Sequence, residues 1–251
     1  MSKTSRSWCV LYGLVLLQFF VSTASAEIIL QTPAGLTEGE KFRFIFLTSG
    51  TTNAESADIS YYNNFVNMEA QEKVATYDGN LVTWYAVAST ADGTEARVNV
   101  GGLGDLVPTY LVTGVKVADS LMEGSSELVR SLWGTIDGYD LYSPVNVGID
   151  GSTLSASDIW AGSGYGGTVS VALGNANPGY GYSGAADFRW ILRNTSYGIT
   201  SSTPLPMYAV SEELTANAVP EPGTLALTGV AGLLMFGRRI WRRLRPNRSR
   251  P

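Results

Sequence analysis

Histidine is absent from all 251 residues, and the only cysteine is Cys9. Cys9 stands ahead of an apolar run near the N-terminus, so residues beyond 26 carry no thiol. These absences remove whole classes of chemistry. A Ser-His-Asp triad or a Cys-His dyad has no members to draw on. Disulfides and Cys/His zinc sites are excluded for the same reason. Carboxylate pairs, Ser-Lys pairs and oxygen-ligated metals are the enzymatic routes left. Cations are also scarce. From Glu27 to Ala218 there are eight lysines and arginines against 21 acidic residues, a net charge of −13 within a chain whose formal total is −5. Nucleic acid is therefore not an expected partner. A body this acidic resists non-specific association and attracts divalent cations.

The long apolar runs lie at the two ends. Lys3 and Arg6 precede the run Val10–Val21, which leads to Ala24-Ser25-Ala26. A positive start, an apolar core and an Ala-x-Ala step describe a signal peptide over 1–26, cut by signal peptidase between Ala26 and Glu27. Cys9 precedes that apolar core, so it does not read as a lipoprotein acylation site and leaves with the leader. At the other end, Val219-Pro220-Glu221-Pro222 leads into Gly223–Gly237, which has no charged residue. Seven arginines follow, beginning with Arg238, Arg239, Arg242 and Arg243. A bilayer core of roughly 30 Å needs about 20 helical residues. Ile240 and Trp241 lengthen the short run, which gives a transmembrane segment over 223–241. The arginines hold the basic tail, 242–251, in the cytoplasm. Residues 214–222 form a linker, kept extended by Pro220 and Pro222.

The Pro-Glu-Pro triplet, the apolar span, the arginine cluster and their terminal position together resemble the PEP-CTERM sorting signal of Gram-negative bacteria. The resemblance covers residues 219–251. It implies handling by an exosortase, a membrane-embedded transpeptidase-like enzyme, with cleavage near Pro220–Pro222. It also implies a precursor held transiently in the inner membrane, then delivery to the cell surface or an exopolysaccharide-rich matrix. Pro220, Glu221 and Pro222 are then substrate residues of another enzyme.

The body, 27–213, has the size of one domain with its own core. The alternation in Lys41–Ser49 predicts a strand with Phe42, Phe44 and Phe46 on one face. Ile59, Tyr62, Phe65, Val66 and Met68 recur at helical spacing, which predicts a helix over about 56–73 capped by Ser56. Strands are expected at 81–89, 97–100, 110–112, 115–117, 187–193 and 207–210, and a short second helix at 125–132. Trp84, Trp133, Trp160 and Trp190 read as core. The glycine-rich stretch 161–184 accommodates no long regular element and reads as a loop. Short, mixed and mostly antiparallel elements with one or two helices give an α+β class.

Several body segments resemble the C-type-lectin-like group, in particular exported bacterial domains related to endostatin. They are Phe44–Ser49, the Ala57–Phe65 helix, Trp84 with Ala88-Ser89-Thr90, Ala96-Arg97, Leu132–Thr135, Ser143–Asn146, Ile159–Gly162, Trp190 and Met207–Val210. The resemblance implies that the strand near 42–47 pairs with the one near 207–210, bringing the ends together. The group's cysteines are missing, as are its Glu-Pro-Asn, Gln-Pro-Asp and Trp-Asn-Asp calcium and sugar motifs. Fold is implied; sugar binding is not.

Two sets of side chains suit a ligand. Tyr165, Tyr180 and Tyr182 stand among glycines, where a ring stacks on a sugar and a hydroxyl bonds to it; the alternative is rings folded onto the core. Asp137, Asp140 and Asp150 sit on Asp-Gly turns and begin an oxygen site for Ca²⁺, although Asp-Gly is also ordinary turn chemistry. No other cofactor is expected. Glu69 and Glu72 lie near the end of an expected exposed helix face and do not form a catalytic pair. The sequence therefore reads as a non-enzymatic exported surface or matrix protein, or as a displayed exopolysaccharide-binding module.

Overall fold

The computed structural model describes residues 27–101, 106–121, 130–133, 140–193 and 199–217. Eleven short strands and two helices lie within them: β1 (Ile28–Ile29), β2 (Lys41–Leu47), α1 (Ile59–Glu72), β3 (Ala75–Tyr77), β4 (Asn80–Leu81), β5 (Trp84–Ala86), α2 (Ala96–Asn99), β6 (Thr109–Leu111), β7 (Lys116–Ala118), β8 (Asp158–Trp160), β9 (Tyr180–Tyr182), β10 (Tyr208–Ser211) and β11 (Leu214–Thr215). Single 3-10 turns occupy Tyr165–Gly167 and Phe188–Trp190. The class is α+β. Six of the eight strand pairings are antiparallel; β1 with β3 and β2 with β6 are parallel.

The main sheet runs β5-β10-β2-β6-β7, with β11 alongside the start of β2. Its central strand is buried on both faces. Phe42, Phe44 and Phe46 enter one apolar cluster with Trp84, Trp160 and α1, while Ile45 and Leu47 enter a second with Trp133 and Trp190. Period-two alternation thus feeds two cores from one strand. Arg43, on the second face, is also buried and donates from Nη1 to the Ser211 carbonyl at 2.9 Å. The pairing that the C-type-lectin-like resemblance implied is present, β2 with the late strand β10: Phe46 faces Ala209 and Ile45 faces Val210. All four body tryptophans are buried.

Asparagines tie α1 to the sheet. β5 pairs with β10 through Tyr85 and its neighbours. On its other side, Asn67 accepts from the Trp84 N–H and donates to the Trp84 carbonyl. Asn63 accepts from the Ala86 N–H, and Asn99 donates to the Ala86 carbonyl. Side-chain amides therefore occupy the ladder positions that a further strand would fill. They satisfy the backbone and block edge pairing.

Tyr77 holds the ends. Its hydroxyl bonds Thr32 at 2.8 Å, donates to the Thr215 carbonyl at 2.9 Å and accepts from the Asn217 N–H at 3.3 Å.

Several expected elements differ. The helix starts at Ile59, because Asp58 rather than Ser56 caps it by accepting from the Ser60 N–H. Met68 lies on its exposed side. The single strand expected over 81–89 divides into β4 and β5. Residues 97–100 form not a strand but the turn α2, where Asn99 must point inward to reach Asn63. Residues 187–193 form no strand; they hold the 3-10 turn Phe188–Trp190, capped by Asp187, which accepts from the Arg189 N–H. Residues 125–129 lie outside the described residues; after them Ser131 bridges to Ser120, and the Leu132 N–H donates to the Ser120 carbonyl. Glu69 is buried, not exposed. Its carboxylate accepts from the Ser49 and Gly50 N–H groups and fixes the turn after β2. Among the described residues no helix is long and apolar enough to cross a membrane; the expected span lies outside them.

The asparagine ladder generates a test. Asn67→Leu leaves both main-chain groups of Trp84 without their partner, and is expected to cost about 2 to 4 kcal/mol. The contrasting variant is Tyr208→Phe. The Tyr208 hydroxyl is fully buried, has no hydrogen-bond partner among the described residues, and burial pushes its pKa well up. Its removal is expected to leave stability unchanged or raised by up to about 1 kcal/mol. Denaturant midpoints at equal slope read both.

Candidate functional site

The turn Phe188–Trp190 organises the most ligand-like surface. Trp190 turns inward and stacks between Trp133, at 6.2 Å, and Tyr208, at 5.3 Å. With Trp190 inside, Phe188 and Arg189 are left outside. Phe188 is 48% exposed and rests against Tyr165, ring centres 5.7 Å apart. The hairpin β8–β9 supplies the adjoining side. Asp158 and Tyr182 are direct cross-strand partners. Arg193 serves both: it pairs with Asp158 and lays its guanidinium 4.6 Å from the Tyr182 ring centre. A cation over a ring of this kind gains about 0.5 to 1 kcal/mol at an exposed site. Arg189 is fixed by a forked contact with Asp187, whose carboxyl is held below its ordinary range by that arginine.

The glycines of 161–184 are explained by packing. A Cβ on Gly181 would collide with the Trp190 carbonyl, and one on Gly162 with the Ser89 carbonyl. Gly162 also has φ of +62°. The segment expected as a loop is thus threaded tightly through the second half of the domain.

A second cluster surrounds Tyr142, which is 48% exposed. Arg130 lies 4.5 Å and Lys116 5.6 Å from its ring centre. The Tyr142 hydroxyl donates to Asp119 at 2.8 Å, and Lys116 pairs with the same carboxylate. Burial works against the charge of Asp119, but the bonds from Lys116, the Arg130 N–H and Tyr142 outweigh it and keep its pKa low. The bond to Asp119 raises the Lys116 pKa, and the same carboxylate raises that of Tyr142.

The three sequence-flagged tyrosines do not share one platform. Tyr165 meets Phe188 and Tyr182 meets Arg193, while Tyr180 packs against the first core. Of the calcium candidates, Asp137 lies outside the described residues. Asp150 spends its carboxylate on the Ser152 N–H and hydroxyl, which lower its pKa. The Asp140 carbonyl accepts from Arg130. No group of three metal-ligating side chains forms among the described residues. Asp150 and Gly151 instead line a groove of about 420 Å³ with residues 28–34 and 112–114. Glu27 carries the expected new N-terminus and accepts from Thr76. Ala24, Ala26, Pro220, Glu221, Pro222, Arg238, Arg239, Arg242 and Arg243 lie outside the described residues.

Sequence reading missed Phe188, Arg193, Asp158, Tyr142, Lys116 and Arg130. Their grouping depends on strand pairing across distances that no local spacing reveals. No protein-family model and no curated protein matches the chain.

The paired carboxylates set the acid stability. Asp119, Asp150 and Asp187 have folded pKa values below the ordinary 3.8. Their contribution is therefore complete above that value and is lost as pH falls through the depressed ones. With no histidine, no ordinary side chain titrates between about pH 5 and 7. The denaturant midpoint is expected to stay flat there and drop below about pH 4. An added step near pH 6.5 would contradict this assignment.

Proposed function

We propose that this chain is a non-enzymatic exported protein of the cell surface or extracellular matrix, sorted by a C-terminal PEP-CTERM signal and trimmed by an exosortase. The observation that carries the proposal is the order Pro220-Glu221-Pro222, uncharged Gly223–Gly237, then arginines from Arg238. Before trimming, the precursor is anchored in the inner membrane with its body outside. The absence of histidine and cysteine from the body favours a structural or binding role over catalysis.

The body is best read as C-type-lectin-like. The β2–β10 pairing, the closure of both ends at Tyr77 and the long excursion between β7 and β10 support that reading.

A second reading is a displayed carbohydrate-binding module for exopolysaccharide. It is favoured by the Phe188–Tyr165 and Tyr182–Arg193 surface, where aromatic faces and charged donors lie together. Such a surface stacks on sugar rings and bonds their hydroxyls.

Replacing Pro220-Glu221-Pro222 by three alanines is expected to leave full-length protein in the inner membrane. Mass spectrometry of the mature chain in its host reads both ends: a start at Glu27 and a terminus near Pro222 are expected. A native polypeptide still ending at Pro251 would overturn the sorting proposal.

A further inference from the structure

We infer that the Tyr182–Arg193 surface continues to Tyr142, and that the combined strip binds a carboxylated polysaccharide. The inference rests on the carbohydrate-binding reading and narrows its ligand class. The link is a backbone bond: the Leu141 N–H donates to the Ala186 carbonyl at 2.7 Å. It sets the chain entering Tyr142 beside the chain entering the Phe188–Trp190 turn. The Tyr142 cluster and the arginine-bearing turn therefore stand on adjoining stretches of chain.

The strip concentrates scarce residues. Lys116, Arg130, Arg189 and Arg193 are four of the eight cations in a body of net charge −13. They accompany Tyr142 and Phe188, both exposed, and Tyr165 and Tyr182, both half-buried. The cations are held in position. Arg189 and Arg193 lean on Asp187 and Asp158, and Lys116 on Asp119. Arg130 donates to the carbonyls of Asp140 and Leu141, so these bonds orient its guanidinium without cancelling its charge.

The chemistry follows from these parts. A pyranose presents an apolar C–H face to an aromatic ring. A uronate carboxylate beside it accepts a forked bond from a guanidinium, which is stronger than a bond between neutral groups. A polyanion approaching elsewhere on the acidic body meets repulsion. Three of the strip's cations are paired with carboxylates; Arg130, whose guanidinium bonds main-chain carbonyls and lies over the Tyr142 ring, supplies net positive charge beside the rings. A neutral glycan would use the rings and leave the cations idle.

The test uses the full chain in non-ionic detergent with oligogalacturonate, and a neutral malto-oligosaccharide of equal length as its control. Oxidative footprinting read by mass spectrometry reports each aromatic separately, so binding to the arginine tail is distinguished from binding to the strip. Protection of Tyr142 together with Tyr182 and Phe188, by the uronate and not by the neutral chain, is the expected result. Tyr142→Ala and Arg130→Gln, each checked for native circular dichroism, should weaken uronate binding roughly tenfold, the loss of one charge-assisted or stacking contact. Protection at Tyr182 and Phe188 alone would sink the strip and leave the carbohydrate reading intact. Equal protection by the neutral chain would refute the preference for carboxylates. Protection confined to residues 238–250, or none at all, would overturn both readings.

Discussion

One strand carries the fold. β2 is paired along its edges by β10, β11 and β6, and is buried on both faces. Each of its residues from Phe42 to Leu47 therefore faces a packing constraint, and all but Arg43 enter one or other of the two apolar clusters. A register slip by one residue would exchange Phe42, Phe44 and Phe46 with Arg43, Ile45 and Leu47. Three phenylalanine rings would then enter the space shaped for Ile45 and Leu47, and Arg43 would face the aromatic cluster. That mismatch fixes the register more firmly than hydrogen bonds do, because a slipped ladder makes the same bonds.

Much of this was legible because it is local. The alternation of Phe42–Leu47 identified the strand and its aromatic face, and the helical spacing of Tyr62 and Val66 identified α1. The strands expected at 110–112 and 115–117 are present as the antiparallel pair β6 and β7, joined through Gly114, whose φ is +85°. What local reading missed has a common cause. Residues 97–100 are β-prone in composition, yet a tertiary bond between Asn99 and Asn63 decides their conformation. Glu69 looked solvated because its partners, Ser49 and Gly50, are 20 and 19 residues away. Glycines at 162 and 181 suggested a loose loop, whereas they mark backbones in close approach. In the ligand-like surface, Tyr165 and Tyr182 were identifiable from type and setting. Arg193 was not, because only the Asp158–Tyr182 pairing brings it over that ring.

The absence of cysteine puts weight on how the ends are held. In small extracellular domains disulfides commonly serve to limit fraying. Here the Tyr77 hydroxyl spends one donor and two acceptor positions on Thr32, Thr215 and Asn217. Each such bond is worth about 1 kcal/mol net, well short of a typical crosslink. The bonds are supplemented by backbone pairing, since Ala216 bonds Glu40 and Gly39. Ala216 is also buried. The ends are therefore held by many weak contacts that form only when the whole sheet is in place. That makes their closure a consequence of folding rather than of oxidation. A domain built this way depends on no thiol chemistry, since residues 27–251 contain no cysteine.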